Sequence, residues 1–285
     1  MSLLIQKPAR LLQNLREIRA LGADGPSRRR LAGNMFQANL KRVHHGWSSL
    51  SNRVLGTAPV KVQLHSPLEL PFYYRPGTTD LLVLEQVFLD GEYQVEPIAP
   101  ESIEYIVDLG SNIGVTAMFW AQRYPNAKMA LVEPDPDNFR LLERNTDTFR
   151  HRCVLINAAV SDKRGETSFF RSDREYGHSI LKGDDSVSEI QVKTLTVSDV
   201  LAEARFPRVD LLKMDIEGGE TIVMPTIGDW THAPRYLIAE LHPPYDFAAF
   251  TQHCQSVGLR ATQSPSEGYR CNLPFAAQAS LTAGV

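Results

Sequence analysis

Two periodicities divide this chain. Up to about residue 59 the apolar positions Leu11, Leu15 and Ile18 recur at helical spacing, Gly22 reads as a stop, and the run Arg28, Arg29, Arg30 is expected in a loop. From Val60 the period becomes two. Val60, Val62 and Leu64 alternate, as do Leu68, Leu70, Phe72 and Tyr74 beyond the turn His65-Ser66-Pro67, which predicts a hairpin. Arg75-Pro76-Gly77 ends it, and Thr79 or Asp80 is placed to cap a helix with Leu81, Leu84, Val87 and Phe88 on one face, stopped at Asp90-Gly91.

Beyond residue 103 short apolar runs alternate with helical stretches. The runs are SIEYIVDL, AKMALVE, CVLINAAV, RVDLLKMD and RYLIAEL; helices are predicted over 113–123, 136–148, 197–205, 217–227 and 246–257. Strands this apolar need cover on both faces, and helices between them imply right-handed crossovers in a parallel sheet. The fold class is α/β, a doubly wound Rossmann-like sheet, preceded by a basic helical N-terminal arm (1–59) and a small hairpin-helix cap (60–100), with the main domain over 101–285. Glu166 to Arg171 and Glu189 to Lys193 read as an inserted pair of short strands, and GLRAT and GYRCNLPF as two more.

Composition narrows the class. With 43% apolar and 22% charged residues over 285 positions, the chain is neither collagenous, coiled-coil nor wholly disordered. Its net charge of -3 is uneven: residues 1–62 carry 11 Lys/Arg against 2 Asp/Glu, a net of +9, and residues 63–285 carry 19 against 31, a net of -12. The basic arm is either a solvated face or a peripheral contact for an anionic surface, such as a phospholipid headgroup or a partner protein. An organellar transit peptide shares that composition. Cys153, Cys254 and Cys271 are far apart and suggest neither a disulfide framework nor a zinc site. Without an 18-residue apolar run or a signal-peptide stretch, a reducing, cytoplasmic location is expected.

The strongest chemical signal is VDLGSNIG, Val107 to Gly114, where an apolar strand ends in an acid, a glycine turn follows and a helix begins at once. Gly110 and Gly114 are expected to let the backbone approach a ligand, and the amides at the helix start favour a carboxylate or phosphate. At the end of the next strand Glu133 is placed to accept hydrogen bonds from both hydroxyls of a ribose. A purely structural reading competes: an α/β turn wants glycine, and Glu133 could be a surface acid ahead of Pro134. NAD is disfavoured, because Asn112 stands where the dinucleotide fingerprint needs its middle glycine. S-adenosylmethionine has no pyrophosphate, and Asp108 beside the helix start could hold the ammonium while the amides hold the carboxylate, with Asn112 adding a polar contact.

These motifs, with YRPGTTDLLVLEQVFLDGEY, LVEPDPDNFRLLERN, NAAVSDKRGE, LKMDIEGGE and AELHP in that order, resemble the FkbM family of class I S-adenosylmethionine-dependent methyltransferases over about Phe72 to Phe275. The resemblance implies O-methylation of a hydroxyl on a sugar, polyketide or other secondary metabolite. By it, Asp108, Gly110, Ser111, Asn112 and Gly114 would line the methionine end, Glu133 would hold the ribose, and the turn of Asn157, Ala158 and Ala159 would border the adenine. The family usually has Ala at the positions of Ser111 and Gly219, both small changes. The basic first 60 residues lie outside the matched region.

Catalytic groups belong at the carboxyl ends of the strands near the topological switch, in LLKMDIEGGE and AELHP. Methyl transfer to a hydroxyl is an in-line displacement in which the enzyme aligns the partners and removes a proton. Positioning can contribute roughly 7 to 11 kcal/mol and a general base about 10²- to 10⁴-fold. His242 is the expected base, for its near-neutral reference pKa. Asp215 is expected as base, histidine partner or cofactor contact, Glu217 as a further catalytic acid, and Lys213 as an electrostatic stabiliser or an acid's partner. The competing structural roles are a proline-ordered loop for His242, a helix cap for Asp215 and a favourable first-turn charge for Glu217. Asp215, Glu217 and His242 could also hold a divalent metal, which is not favoured because Mg²⁺ sites seldom use histidine. Tyr93 could close over the cofactor, and His178 with Ser179 could meet the acceptor. The acceptor is thus expected to be a small-molecule or glycan hydroxyl. Nucleic acid is disfavoured by the acidic catalytic half and by the lack of an N-P-P-Y tetrapeptide after the right strand. The alternatives are an NAD-dependent oxidoreductase on this fold and a cofactor-binding scaffold without catalysis.

Overall fold

A computed structural model describes residues 8–43, 58–65, 69–94, 98–172, 179–181, 186–263 and 274–278. They fall in two compact units, 1–92 and 93–285. Among the described residues no helix is long and apolar enough to cross a membrane.

The first unit holds α1 (Pro8–Ala20), α2 (Gly25–Val43), β1 (Val60–Gln63), β2 (Pro71–Tyr74) and α3 (Asp80–Phe88). The alternating residues pair antiparallel, Val60 with Tyr74 and Gln63 with Pro71; Ser66, Pro67 and Leu68 of the turn lie outside the described residues. Ile18, Leu31, Met35, Phe72 and Tyr74 are fully buried. Arg28, Arg29 and Arg30 are helical, not a loop. Asp24 accepts the Ser27 backbone N–H at 2.7 Å and so starts α2 ahead of the basic run. Nor does Thr79 or Asp80 cap α3 with its side chain. Thr78 Oγ1 accepts the Asp80 N–H at 3.2 Å, and the Asp80 carboxylate turns to the Arg75 backbone N–H (2.7 Å) and guanidinium (2.8 Å).

The second unit runs β3 (Tyr105–Leu109), α4 (Val115–Arg123), β4 (Lys128–Val132), α5 (Pro136–Thr146), β5 (Cys153–Ile156), β6 (Ala159–Val160), β7 (Gly165–Ser172), β8 (Ser186–Leu195), α6 (Val197–Ala204), β9 (Leu211–Met214), α7 (Glu220–Val223), β10 (Tyr236–Ala239), α8 (Phe247–Ser256), β11 (Leu259–Thr262) and β12 (Phe275–Gln278). A seven-stranded sheet has the order β11-β12-β10-β9-β3-β4-β5. Its members β10, β9, β3, β4 and β5 are parallel, while β12 runs antiparallel to β10 and β11. Four consecutive residues of β3, and likewise of β4, are buried, so both faces of the sheet are covered. The chain winds outward from β3 to β5 on one side and returns to β9 on the other. The crevice at the carboxyl ends of β3 and β9 is therefore the topological switch point.

Three local expectations are revised. CVLINAAV breaks at Asn157 into β5 of the main sheet and β6 of a separate sheet, β6-β8-β7, whose β7–β8 pair is the expected insertion. The helix expected over 217–227 shrinks to α7 followed by a 3-10 turn, because Glu217 and Gly218 take φ of +52° and +94°, incompatible with an α-helix. The last strand lies at Phe275–Gln278, past most of GYRCNLPF, whose residues 268–273 lie outside the described residues.

Candidate functional site at the switch point

The glycine loop is shaped first by its own chain. Gly110 has φ +84°, and a Cβ there would stand 1.9 Å from the Asp215 carbonyl oxygen. Asp215 donates its N–H to the Leu109 carbonyl at 3.1 Å, so the ends of β3 and β9 meet backbone to backbone. Gly114, at φ +90°, lets α4 approach α5: a Cβ would lie 2.9 Å from Leu142 Cδ1. Both glycines thus admit neighbouring elements, where close approach of a ligand was expected. Ser111 Oγ donates to the Asp108 carbonyl at 3.1 Å. Asn112, at φ +49°, bonds the Ile113 N–H through Oδ1 at 2.8 Å, and no side chain caps the start of α4.

Glu133 closes the loop from the end of β4. Its Oε2 accepts the Asn112 N–H at 2.9 Å and its Oε1 the Asp135 N–H at 2.8 Å. Burial pushes this carboxyl up to about 8 in spite of both amides. Asn157 Nδ2 reaches back to the carbonyls of Glu133 (2.8 Å) and Pro134 (3.1 Å), and Ala158 and Ala159 are buried behind it. The expected donor-side residues are thereby brought together at the ends of β3, β4 and β5.

Asp108 meets Lys213, which was expected as an acid's partner. It is fully buried, and its Oδ1 lies 3.2 Å from Lys213 Nζ, itself 3% exposed. Lys213 also donates to the Gly110 carbonyl at 2.6 Å and lies 3.5 Å from Asp215 Oδ2. Burial alone would lower the lysine pKa, but the Asp108 and Asp215 charges hold it above its ordinary value. Lys213 thus stays a cation, and it is the partner of Asp108. Tyr93 sits over this ammonium, 5.4 Å from ring centroid to Nζ, and donates its hydroxyl to Asp215 Oδ2 at 3.1 Å.

Beside Asp215 lies a histidine among carboxylates. His242 Nε2 is 3.3 Å from Glu217 Oε2 and 3.9 Å from Glu240 Oε1, and Nδ1 is 3.4 Å from Glu220 Oε2. Glu220 is fully buried and accepts the N–H groups of Ile216 and Gly218, each at 2.9 Å. Burial would lower the imidazole pKa, but the Glu220 carboxylate on one ring nitrogen, with the charges of Glu217 and Asp215, raises it to about 10. The imidazole thus holds its proton well above its ordinary near-neutral range. Glu217 is pushed up to about 9 by burial and then by Asp215. Glu240 is raised to about 7, chiefly by the Asp215 charge and then by burial.

Sequence reasoning missed Glu220 and Glu240 as members of this cluster, although both stand inside motifs it singled out. Ligand atoms of Asp215, Glu240 and His242 lie within 4.8 Å of one another, so Glu240 replaces Glu217 in the trio placed to share a cation. Lys213 and the charged His242 already face these carboxylates. Ser179 turns its hydroxyl to the Glu217 carbonyl, and His178 lies outside the described residues.

The sheet order and the glycine loop define the Rossmann-like α/β fold of class I methyltransferases. More particularly, the chain belongs to the FkbM methyltransferase family: the Methyltransferase FkbM domain model matches residues 108–271, more than half of the sequence. It is a methyltransferase. Among curated relatives, Methyltransferase 1 of Beauveria bassiana is 27% identical over 61% of this chain and 79% of that protein. Hexuronic acid methyltransferase AglP of Haloferax volcanii is 26% identical over 55% of this chain and 65% of that protein. The 31-O-demethyl-FK506 methyltransferase FkbM of Streptomyces tacrolimicus is 26% identical over 55% of this chain and 72% of that protein.

Proposed function

We propose that this chain transfers a methyl group from S-adenosylmethionine to a hydroxyl of a small-molecule or sugar-like acceptor. Two relatives support the acceptor class by name, one a hexuronic acid methyltransferase and one a 31-O-demethyl-FK506 methyltransferase. The observation that carries the reading is the meeting, at one switch point, of a donor-type half and a proton-handling half. The first is the uncapped start of α4 with Glu133; the second is Asp215, Glu217, Glu240 and His242.

The residues present suit this donor. Glu133 Oε2 accepts the Asn112 amide and keeps a lone pair for a ribose hydroxyl, while Oε1 accepts the Asp135 amide and, at 3.5 Å, the Asn138 side-chain amide. Uncapped amides at the start of α4 suit a carboxylate. Bound there, S-adenosylmethionine supplies a methyl group on a sulfonium sulfur.

Transfer forms a carbon–oxygen bond, breaks a carbon–sulfur bond and leaves the hydroxyl proton to be taken up. Glu240, raised to about 7, is poised to accept that proton near neutral pH. His242, held protonated by its carboxylates, donates hydrogen bonds and offsets the charge of the cluster. Lys213 fixes the carboxylates of Asp108 and Asp215 and the carbonyl of Gly110, setting the geometry of the loop.

The test is incubation with donor carrying a deuterated methyl group and a panel of uronic acid, polyol, phenol, amine and thiol acceptors, read by mass spectrometry. Label on an acceptor oxygen is expected. Label only on nitrogen or sulfur acceptors would overturn the oxygen-directed reading.

A further inference from the structure

The insertion carried by β7 and β8 reaches the proton-handling half through Ser179. Ser179 pairs with Phe170 through two backbone hydrogen bonds, of 2.7 and 3.0 Å, and is 8% exposed. Its Oγ accepts the Leu181 N–H at 3.0 Å and donates to the Glu217 carbonyl at 2.5 Å. With the amide on its acceptor side, the hydroxyl has a single proton to give, and Glu217 receives it.

Glu217 needs such a hold. At φ +52° it occupies the left-handed region, which a residue with a Cβ adopts only at a cost. Around its carboxylate stand Asp215, Glu220, Glu240 and His242. The peptide plane after Glu217 is held at both ends: Glu220 of the cluster accepts the Gly218 N–H at 2.9 Å, and Ser179 of the insertion donates to the Glu217 carbonyl. Leu181 of the same insertion packs against the next residue, its Cδ1 3.2 Å from where a Gly218 Cβ would stand. On the donor side, Arg171 of β7 meets Asp135 at 2.6 Å and Asp137 at 3.1 Å, just beyond Glu133. The hairpin is therefore fastened to both halves of the site.

We infer that Ser179 is a positioning residue: through the Glu217 carbonyl, the inserted hairpin sets the direction in which the Glu217 carboxylate meets His242. The inference rests on the methyl-transfer reading above for its kinetic consequence, but not for its structural one. It assigns the insertion a part in the reaction that the family match does not supply.

The test compares Ser179→Ala with Ser179→Thr in the full chain. Ala is expected to lower kcat about tenfold, in line with the cost of misplacing a reacting group, with donor KM within about twofold; Thr, which keeps the hydroxyl, is expected to recover most of kcat. Alongside, nitrogen-15 NMR of labelled histidine follows the His242 ring without any acceptor. Its ring resonances are expected to shift in Ala and to stay near wild type in Thr. Wild-type kcat in Ala, or an unmoved His242 signal, would overturn the inference, as would a Thr variant as impaired as Ala. Should the wild type transfer no methyl group, the methyl-transfer reading fails and the NMR comparison still decides the role of Ser179.

Discussion

Glu220 and His242 form a buried carboxylate–imidazole contact, Oε2 to Nδ1 at 3.4 Å, in which the carboxylate is also pinned by the amides of Ile216 and Gly218. A carboxylate fixed by backbone cannot swing away, so it fixes the ring. Glu220→Ala removes three partners at once and leaves two amides without acceptors. A loss of about 1 to 3 kcal/mol per unsatisfied group is expected. Denaturant unfolding should show that loss, and methyl transfer should fall with it. Unchanged stability would mean that the two amides find other partners.

Lys213 and Asp108 form the other buried pair. Lys213→Met leaves Asp108 as an uncompensated charge in the core, and breaking one side of such a pair typically costs about 3 to 5 kcal/mol. The double variant Lys213→Met/Asp108→Asn is expected to recover much of that stability but not donor binding, since the Gly110 carbonyl loses its ammonium. Thermal melts and calorimetry on the same samples check both halves of the statement.

Which group takes the proton is separable by pH. With Glu240 as acceptor, kcat should rise as pH passes about 7 and then level. With His242 as acceptor, the rise would continue toward about 10. Glu240→Gln is expected to abolish the limb near neutrality and to lower kcat by about 10²-fold or more, while His242→Ala lowers turnover and leaves donor affinity little changed. A profile that keeps climbing to alkaline pH would return the base role to His242.

Stability should fall as pH rises. His242 holds its proton more tightly folded than unfolded, so its contribution is complete below its unfolded value of about 6.5 and is lost as pH climbs through about 10. The buried carboxyls Glu240, Glu133 and Glu217, raised to about 7, 8 and 9, act in the same sense. They cost nothing when protonated below their unfolded values of about 4.3, and the cost of ionising them in the core grows up to those raised values. The melting temperature is expected to drop steadily from pH 6 to pH 10. A flat or rising trend would contradict the buried proton-sharing cluster.

Alternating β runs and helical stretches made the sheet and its crossovers legible, because period and burial are local properties of sequence. The loop residues from Asp108 to Gly114 and the acid Glu133 stood out for a local reason: each group lies at or just past the end of a strand. What escaped depends on contacts distant in sequence or on backbone conformation. Asn157 breaks an apolar run by reaching back to Glu133 and Pro134, and Asp24 draws a basic run into a helix by capping it. Glu240 and Glu220 gain their significance only where β10 brings His242 beside β9. A reference pKa for His242 carries no information about four neighbouring carboxylates.

Calorimetric titration with S-adenosylhomocysteine, on the wild type and on Glu133→Gln, addresses the donor crevice most directly. Saturable binding by the wild type is expected, weakened about tenfold or more in the variant, whose amide replaces a carboxyl oxygen facing the ribose with a hydrogen-bond donor. No binding by the wild type, or equal affinity in the two proteins, would contradict the account.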